Sequence, residues 1–112
     1  MNRGEIWLVN LDPTIGSEIR KTRPAVIVSS DLIGILPVKI IVPLTEWKQR
    51  YASAPWMVRI DCNDQNGLSK TSAADGLQVR SVSSQRLIRK LGVIPNIQVA
   101  QIVQAVMNVL QR

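Results

Sequence analysis

A β-rich α+β domain is the fold class predicted here: a small, strongly bent barrel of five strands with a short helix and a C-terminal helix. Three observations predict it. Short runs rich in Val and Ile recur along most of the chain, and each is cut off by Pro, Gly or Ser-Asp clusters. The last segment changes to a helical period. The length, 112 residues of which 46% are hydrophobic and 20% charged, suffices for one core. At this size folding removes roughly two-thirds of the unfolded surface from water, so residues 1–112 form a single domain without disulfide or metal staples.

Glu5 to Leu11 is β-rich and stops at Asp12-Pro13, where the proline ring fixes φ and pushes the preceding residue out of the helical region. Thr14 to Arg23 reads as a long polar loop. Pro24 opens Ala25-Val26-Ile27-Val28, an unbroken apolar run that describes a strand buried on both faces. Val38 to Val42 is the third strand, closed by Pro43, and a polar, basic loop from Glu46 to Pro55 leads to a fourth at Trp56–Asp61. Asn63 to Gly67 is a dense turn, and Ser72 to Val82 alternates loosely as a fifth strand. Ser83 to Gly92, with a Ser cap, apolar residues at 87, 88 and 91 and a closing Gly, reads as a short helix. Pro95 then starts a helix whose apolar stripe is Val99, Ile102, Val103, Val106, Met107 and Leu110.

Composition narrows the chemistry. With no His and one Cys, Ser-His-Asp triads, Cys-His pairs, a His general base and the common zinc sites are excluded by inventory. The lone Cys62 reads as a small buried hydrophobe in a reducing, cytoplasmic protein. No apolar leader or membrane-spanning run occurs, so neither secretion by a signal peptide nor a membrane anchor is expected. Fourteen Lys and Arg against eight Asp and Glu give +6, which points to a polyanionic partner.

Without His, phosphate chemistry falls to cationic and hydroxyl groups, since Arg and Lys can stabilise the charge that builds at phosphorus in the transition state. Arg20, Lys21 and Arg23 lie beside Ser17 and Thr22 at the end of the long loop, either as a phosphate grip or as a solvated basic turn. Trp47 and Tyr51, interleaved with Lys48 and Arg50, offer exposed aromatic faces for unstacked bases, whereas Trp7 and Trp56 read as core. Gln78 and Arg80 share a strand face that either lines an RNA groove or holds a structural contact. Arg86, Arg89 and Lys90 make a basic helix face.

The stretch from Arg3 to Glu18, Arg-Gly-Glu-Ile-Trp-Leu-Val-Asn-Leu-Asp-Pro-Thr-Ile-Gly-Ser-Glu, followed by Thr22-Arg23-Pro24-Ala25-Val26-Ile27-Val28-Ser29, closely resembles the opening of the MazF/PemK family of toxin endoribonucleases, the mRNA interferases. The likeness continues through Val42-Pro43-Leu44-Thr45, Gln78 to Val82, and Arg86-Leu87. It implies an SH3-like barrel, a homodimer, and metal-independent cleavage of single-stranded RNA by attack of its own 2′-hydroxyl, with no cofactor. It also implies the toxin half of a type II toxin–antitoxin system, whose cognate antitoxin carries an acidic segment. Position by position, the resemblance carries catalysis to Arg23 and Thr45; the structural alternatives are an Arg23 ion pair with Glu18 or Glu5 and a capping role for Thr45.

The chain departs from the family at two places. Ser17 stands near a position where some members have His, and Leu77 stands where many have an acid. Asp75, two residues earlier, either replaces that carboxylate or caps a turn beside Gly76; with Ser17 and Glu18 it completes the set of candidate catalytic or substrate-binding groups. The rival reading is a non-catalytic member of the same fold that binds nucleic acid or protein.

Overall fold

The computed structural model describes residues 1–111. Seven antiparallel strands replace the five expected: β1 (Glu5–Asn10), β2 (Thr22–Ile27), β3 (Val38–Glu46), β4 (Met57–Ile60), β5 (Ser72–Asp75), β6 (Arg80–Ser83) and β7 (Leu87–Val93), followed by helix α1 (Asn96–Leu110). Their order is β4-β5-β3-β2-β1-β7, and β6 pairs with β3 off that path. The bent sheet is barrel-like without being closed by strand pairing.

Three differences from the sequence reading have simple causes. Pro43 does not end the third strand, which runs on to Glu46. Ile41 is the last β3 residue paired with β6 and Leu44 the first paired with β5, so the missing N–H of Pro43 falls where the ladder changes partners. The expected fifth strand splits, because the Asp75 carboxylate accepts from the Leu77 N–H at 3.1 Å and turns Gly76–Gln78 into a 3-10 segment between β5 and β6. Ser83 to Gly92 is not a helix: Ser83 caps a single 3-10 turn, Ser84–Arg86, and β7 follows, paired with β1 from Val9↔Leu87 to Glu5↔Val93. Its apolar spacing was too short to separate the two periods, and pairing with β1 decided it.

Alternation along the strands builds two cores. Val26, Val42, Leu44, Ile6 and Ile60 meet Val99 and Ile102 of α1 on one face. Ala25, Ile27 and Ile41 meet Val9, Leu11, Val82 and Leu87 on the other. The Ala25–Val28 run is therefore buried on both faces, as its unbroken apolar character predicts. The helix turns Val99, Ile102 and Ala105 inward, while Met107 and Leu110, expected in the stripe, are exposed. Cys62, expected to be buried, is an exposed thiol beside the turn at 63–67.

That turn docks on β7 backbone to backbone. Gly67 has φ +68, and a Cβ there would sit 2.0 Å from the Leu91 carbonyl oxygen; one on Gly92 would sit 2.2 Å from that of Gln65. The Val93 N–H donates to the same Gln65 oxygen at 2.9 Å. Asn66, 1% exposed, holds the turn from inside, its amide oxygen accepting from the N–H groups of Asn63 and Leu68 and its Nδ2 donating to the Asp61 carbonyl. Gly92, read from sequence as a helix stop, is thus a strand residue that only a missing side chain permits.

Glu5 ties β1 to β7 on the opposite side. Burial pushes its carboxyl up, but hydrogen bonds from the Trp7 indole (2.9 Å) and Asn2 N–H (3.0 Å), the Lys90 ammonium (3.3 Å) and the N-terminal amine outweigh that and lower it to about 2. Trp7, expected in the core, is half-buried above this cluster.

Two expectations follow. Gly67→Ala meets both left-handed strain and overlap, together about 2–5 kcal/mol, whereas Gly16→Ala, at φ +61 with open space around it, meets only the backbone cost of about 1–2 kcal/mol. Urea denaturation of both variants measures the gap, and equal losses would refute the docking role. For Glu5, the folded value lies below the ordinary 4.5, so its stabilisation is complete above pH 4.5 and lost as pH falls toward 2. It is on the order of 3 kcal/mol. Denaturation midpoints of the wild type should drop across that window while those of Glu5→Gln stay flatter; parallel curves would remove Glu5 as the cause.

Candidate active site

Arg23 stands near the start of β2 because Pro24, with no N–H and a fixed φ, sets the chain extended just after the loop turns at Lys21 (φ 69). Thr45 stands near the end of β3, opposite Ala73 of β5. The β2–β3 register ends at Ala25 paired with Pro43, two residues short of Arg23 on one strand and of Thr45 on the other. Both line one cleft of about 300 Å³. Its apolar floor comes from Leu8, Pro24, Leu44, Leu68 and Leu91, and its polar wall from Glu46, Ser69, Lys70, Ser72 and Arg89.

Arg23 is exposed, and its Nε donates weakly to the Arg20 carbonyl at 3.4 Å. Neither structural alternative for it occurs: Glu5 is taken by Lys90, and the Glu18 carboxylate accepts from the Ile15 N–H at 2.8 Å within its own loop. Among the described residues Arg20, Lys21, Arg23 and Arg89 form no ion pair, so their charge is available to an anion. Thr45 is half-buried, and its hydroxyl makes no hydrogen bond among the described residues.

The first loop, none of whose residues from Asp12 to Thr22 lines the cleft, is held in place by three side chains. Gln78 grips both sides of Glu18, its Oε1 accepting from the Ile19 N–H (3.1 Å) and its Nε2 donating to the Ser17 carbonyl (3.2 Å). Arg80 donates to the Leu11 carbonyl, and Arg86 to those of Asn10 and Asp12. Gln78 and Arg80, candidates for RNA contact, therefore spend these groups on the loop. Ser17 and Glu18 sit exposed at its tip.

The remaining candidates lie apart from the cleft. Asp75 is buried at the end of β5 as the cap of the 76–78 turn; burial raises its carboxyl above the ordinary range, opposed by the backbone N–H groups of Leu77 and Gln78. Trp47 and Tyr51, expected to be exposed, are half-buried against each other, edge to face at 6.0 Å, with Arg59 over the indole and Arg50 over the phenol. Lys48 is exposed beside them. Sequence reasoning missed Lys70 and Arg89. Arg89 and Leu91 line the cleft together because alternate residues of a strand share a face, a relation the helical reading of this segment concealed.

Among the described residues no three His, Cys, Asp or Glu side chains converge as a metal-binding group, and no helix is long and apolar enough to cross a membrane.

Residues 2–110 match the model of a family described as the PemK-like, MazF-like toxin of type II toxin–antitoxin system. Endoribonuclease MazF9 of Mycobacterium tuberculosis is 34% identical over 111 residues, covering 94% of this chain and 92% of that one. Endoribonuclease EndoA of Bacillus subtilis is 29% identical over 92 residues, 81% of this chain and 78% of its own. The crystal structure of MazF from Deinococcus radiodurans superposes with a TM-score of 0.80 over 98% of this chain and 96% of that one, at 19% identity. A mycobacterial endoribonuclease solved with its cognate antitoxin gives 0.74 over 98% and 94%, at 17% identity. With the family model matched over residues 2–110 and a relative 34% identical along nearly its whole length, the chain belongs to the PemK/MazF-like toxin family of type II toxin–antitoxin systems.

Proposed function

We propose that the protein is a metal-independent, sequence-specific endoribonuclease that cuts single-stranded mRNA. The observation that carries this reading is the convergence of an unpaired Arg23 and Thr45 in one cleft. In the proposed step the 2′-oxygen attacks the adjacent phosphorus, the bond from phosphorus to the 5′-oxygen breaks, and the products are a 2′,3′-cyclic phosphate and a 5′-hydroxyl. One proton leaves the 2′-hydroxyl and one reaches the departing oxygen. Arg23 holds the non-bridging oxygens through its planar fork as charge builds on them, and the Thr45 hydroxyl donates beside it. Ser17 and Glu18, at the loop tip, face the substrate strand in this reading, with Arg20 and Lys21 along its backbone. Asp75 is assigned no step, because its carboxylate already caps a turn outside the cleft.

Two partners belong to the same reading. Leu32 and Ile35 are 95% and 98% exposed, and with Leu36, Val38 and Ile40 they form an apolar surface beside β3 that suits a second copy of the chain. The charge of +6 suits an antitoxin whose acidic, disordered segment folds over the basic face in place of RNA. An mRNA substrate sets the site of action in the cytoplasm.

Incubation with long single-stranded RNA in EDTA, followed by sequencing of the 5′ ends, tests the activity; discrete ends are expected, and intact RNA favours the non-catalytic rival. Arg23→Ala should lower the rate by about 10²–10³ with the melting curve unchanged, and Arg23→Lys should recover little of it. A single 2′-deoxy nucleotide at the cut position should block cleavage while binding persists; cutting at a comparable rate would make the reaction hydrolytic. Ile35→Asp should give a monomer by light scattering, and an unchanged oligomer would move the interface elsewhere.

A further inference from the structure

The cleft holds more than the two residues that cleavage needs. At about 300 Å³ it lies at the small end of ligand pockets, enough for one base with its sugar and too small for two stacked nucleotides. Its ends differ in charge. Arg89 stands beside the floor made by Leu8 and Pro24, since β1 pairs Leu8 with Arg89 on one side and with Pro24 on the other, and Arg23, paired with Val9, lines the cleft next to Pro24. Toward the 67–72 segment the Glu46 carboxylate is held by the Lys70 ammonium at 3.4 Å.

This distribution selects among occupants. A phosphate alone would leave the apolar floor unused and would be repelled by Glu46. An apolar side chain would leave Arg23 and Arg89 without a counter-charge. A nucleotide satisfies both ends: its phosphate meets the Arg89 guanidinium, its base lies on the apolar floor, and a base N–H reaches the Glu46 carboxylate, which only accepts hydrogen bonds. The aromatic pair Trp47–Tyr51 is already packed together with arginines over it, which leaves the cleft as the better seat for a splayed base.

We propose that this cleft is a nucleotide subsite, in which one unstacked base of single-stranded RNA is held next to the scissile phosphate, Arg89 grips that nucleotide's phosphate, and Glu46, oriented by Lys70, selects the base by its N–H edge. The inference rests on the ribonuclease reading for the identity of its ligand, but binding alone tests it. Arg89 is exposed and forms no ion pair, and Glu46 and Lys70 are exposed, so their substitution spares both cores.

The test uses the full-length protein and a fully 2′-O-methylated, single-stranded RNA pool of random sequence, which lacks the attacking hydroxyl. Fluorescence anisotropy across a salt series should show Arg89→Ala binding about tenfold more weakly, with the slope of log affinity against log salt reduced by about 0.7, and Arg89→Lys restoring the slope. Sequencing of the strands retained by the protein should show a base preference at one position that Glu46→Gln relaxes while overall affinity changes little. Wild-type affinity and slope in Arg89→Ala, or an unchanged base preference in Glu46→Gln, would overturn the subsite. A wild-type protein that binds the pool in this way but never cuts RNA would overturn the ribonuclease reading and leave the subsite standing; one that cuts RNA while Arg89→Ala binds normally would do the reverse.

Discussion

The contact on which the cleft depends is the docking of the 61–68 turn against β7, where two chains approach so closely that neither Gly67 nor Gly92 has room for a Cβ. A sheet ending in β4 and β7 leaves both edges open, and strand pairing does not join them. The turn makes that connection with the Val93–Gln65 hydrogen bond and the buried Asn66 amide. Once it is docked, the chain leaving Gly67 brings Leu68, Ser69 and Lys70 to the cleft that Leu8, Pro24 and Leu44 also line. A methyl group at either glycine would overlap the facing backbone and push the two chains apart.

A second constraint separates the cations that hold structure from those left to bind. Arg80 and Arg86 donate to carbonyl groups at the end of β1 and the start of the first loop, and Arg3 donates to the Val28 carbonyl. Lys90 and Lys70 are paired with carboxylates, and Arg59 with Asp61 at 3.0 Å. Arg20, Lys21, Arg23 and Arg89 have no such partner among the described residues. These four unpaired cations lie in the first loop, at the start of β2 and in the cleft. Because Gln78 grips the backbone on both sides of Glu18, the loop can present this charge without collapsing onto an acidic neighbour.

The local residue chemistry pointed to Arg23 within the basic cluster at the end of the first loop, and the family resemblance added Thr45. The resemblance aligned Arg23 and Thr45 with cleavage; the pairing of β2 with β3 explains how two residues so distant in sequence come to line one cleft. For Asp75 the residue chemistry left a carboxylate replacement and a turn cap open. The hydrogen bond to Leu77 is the second of these.

The sequence by itself determined the β-rich architecture with a C-terminal helix, the two-faced burial of Ala25–Val28, the absence of His chemistry and the basic charge. These depend on composition or on periods carried by consecutive residues. Tertiary structure alone decided that Leu87–Val93 is a strand, that Gly92 is a contact point, and that Arg89 joins Lys70 across a cleft that also holds Arg23 and Thr45. In the 83–92 segment apolar spacing fits either period. The choice came from the hydrogen bonds and side-chain contacts that β1 offers to β7, and a pairing partner more than seventy residues away leaves no mark on local sequence.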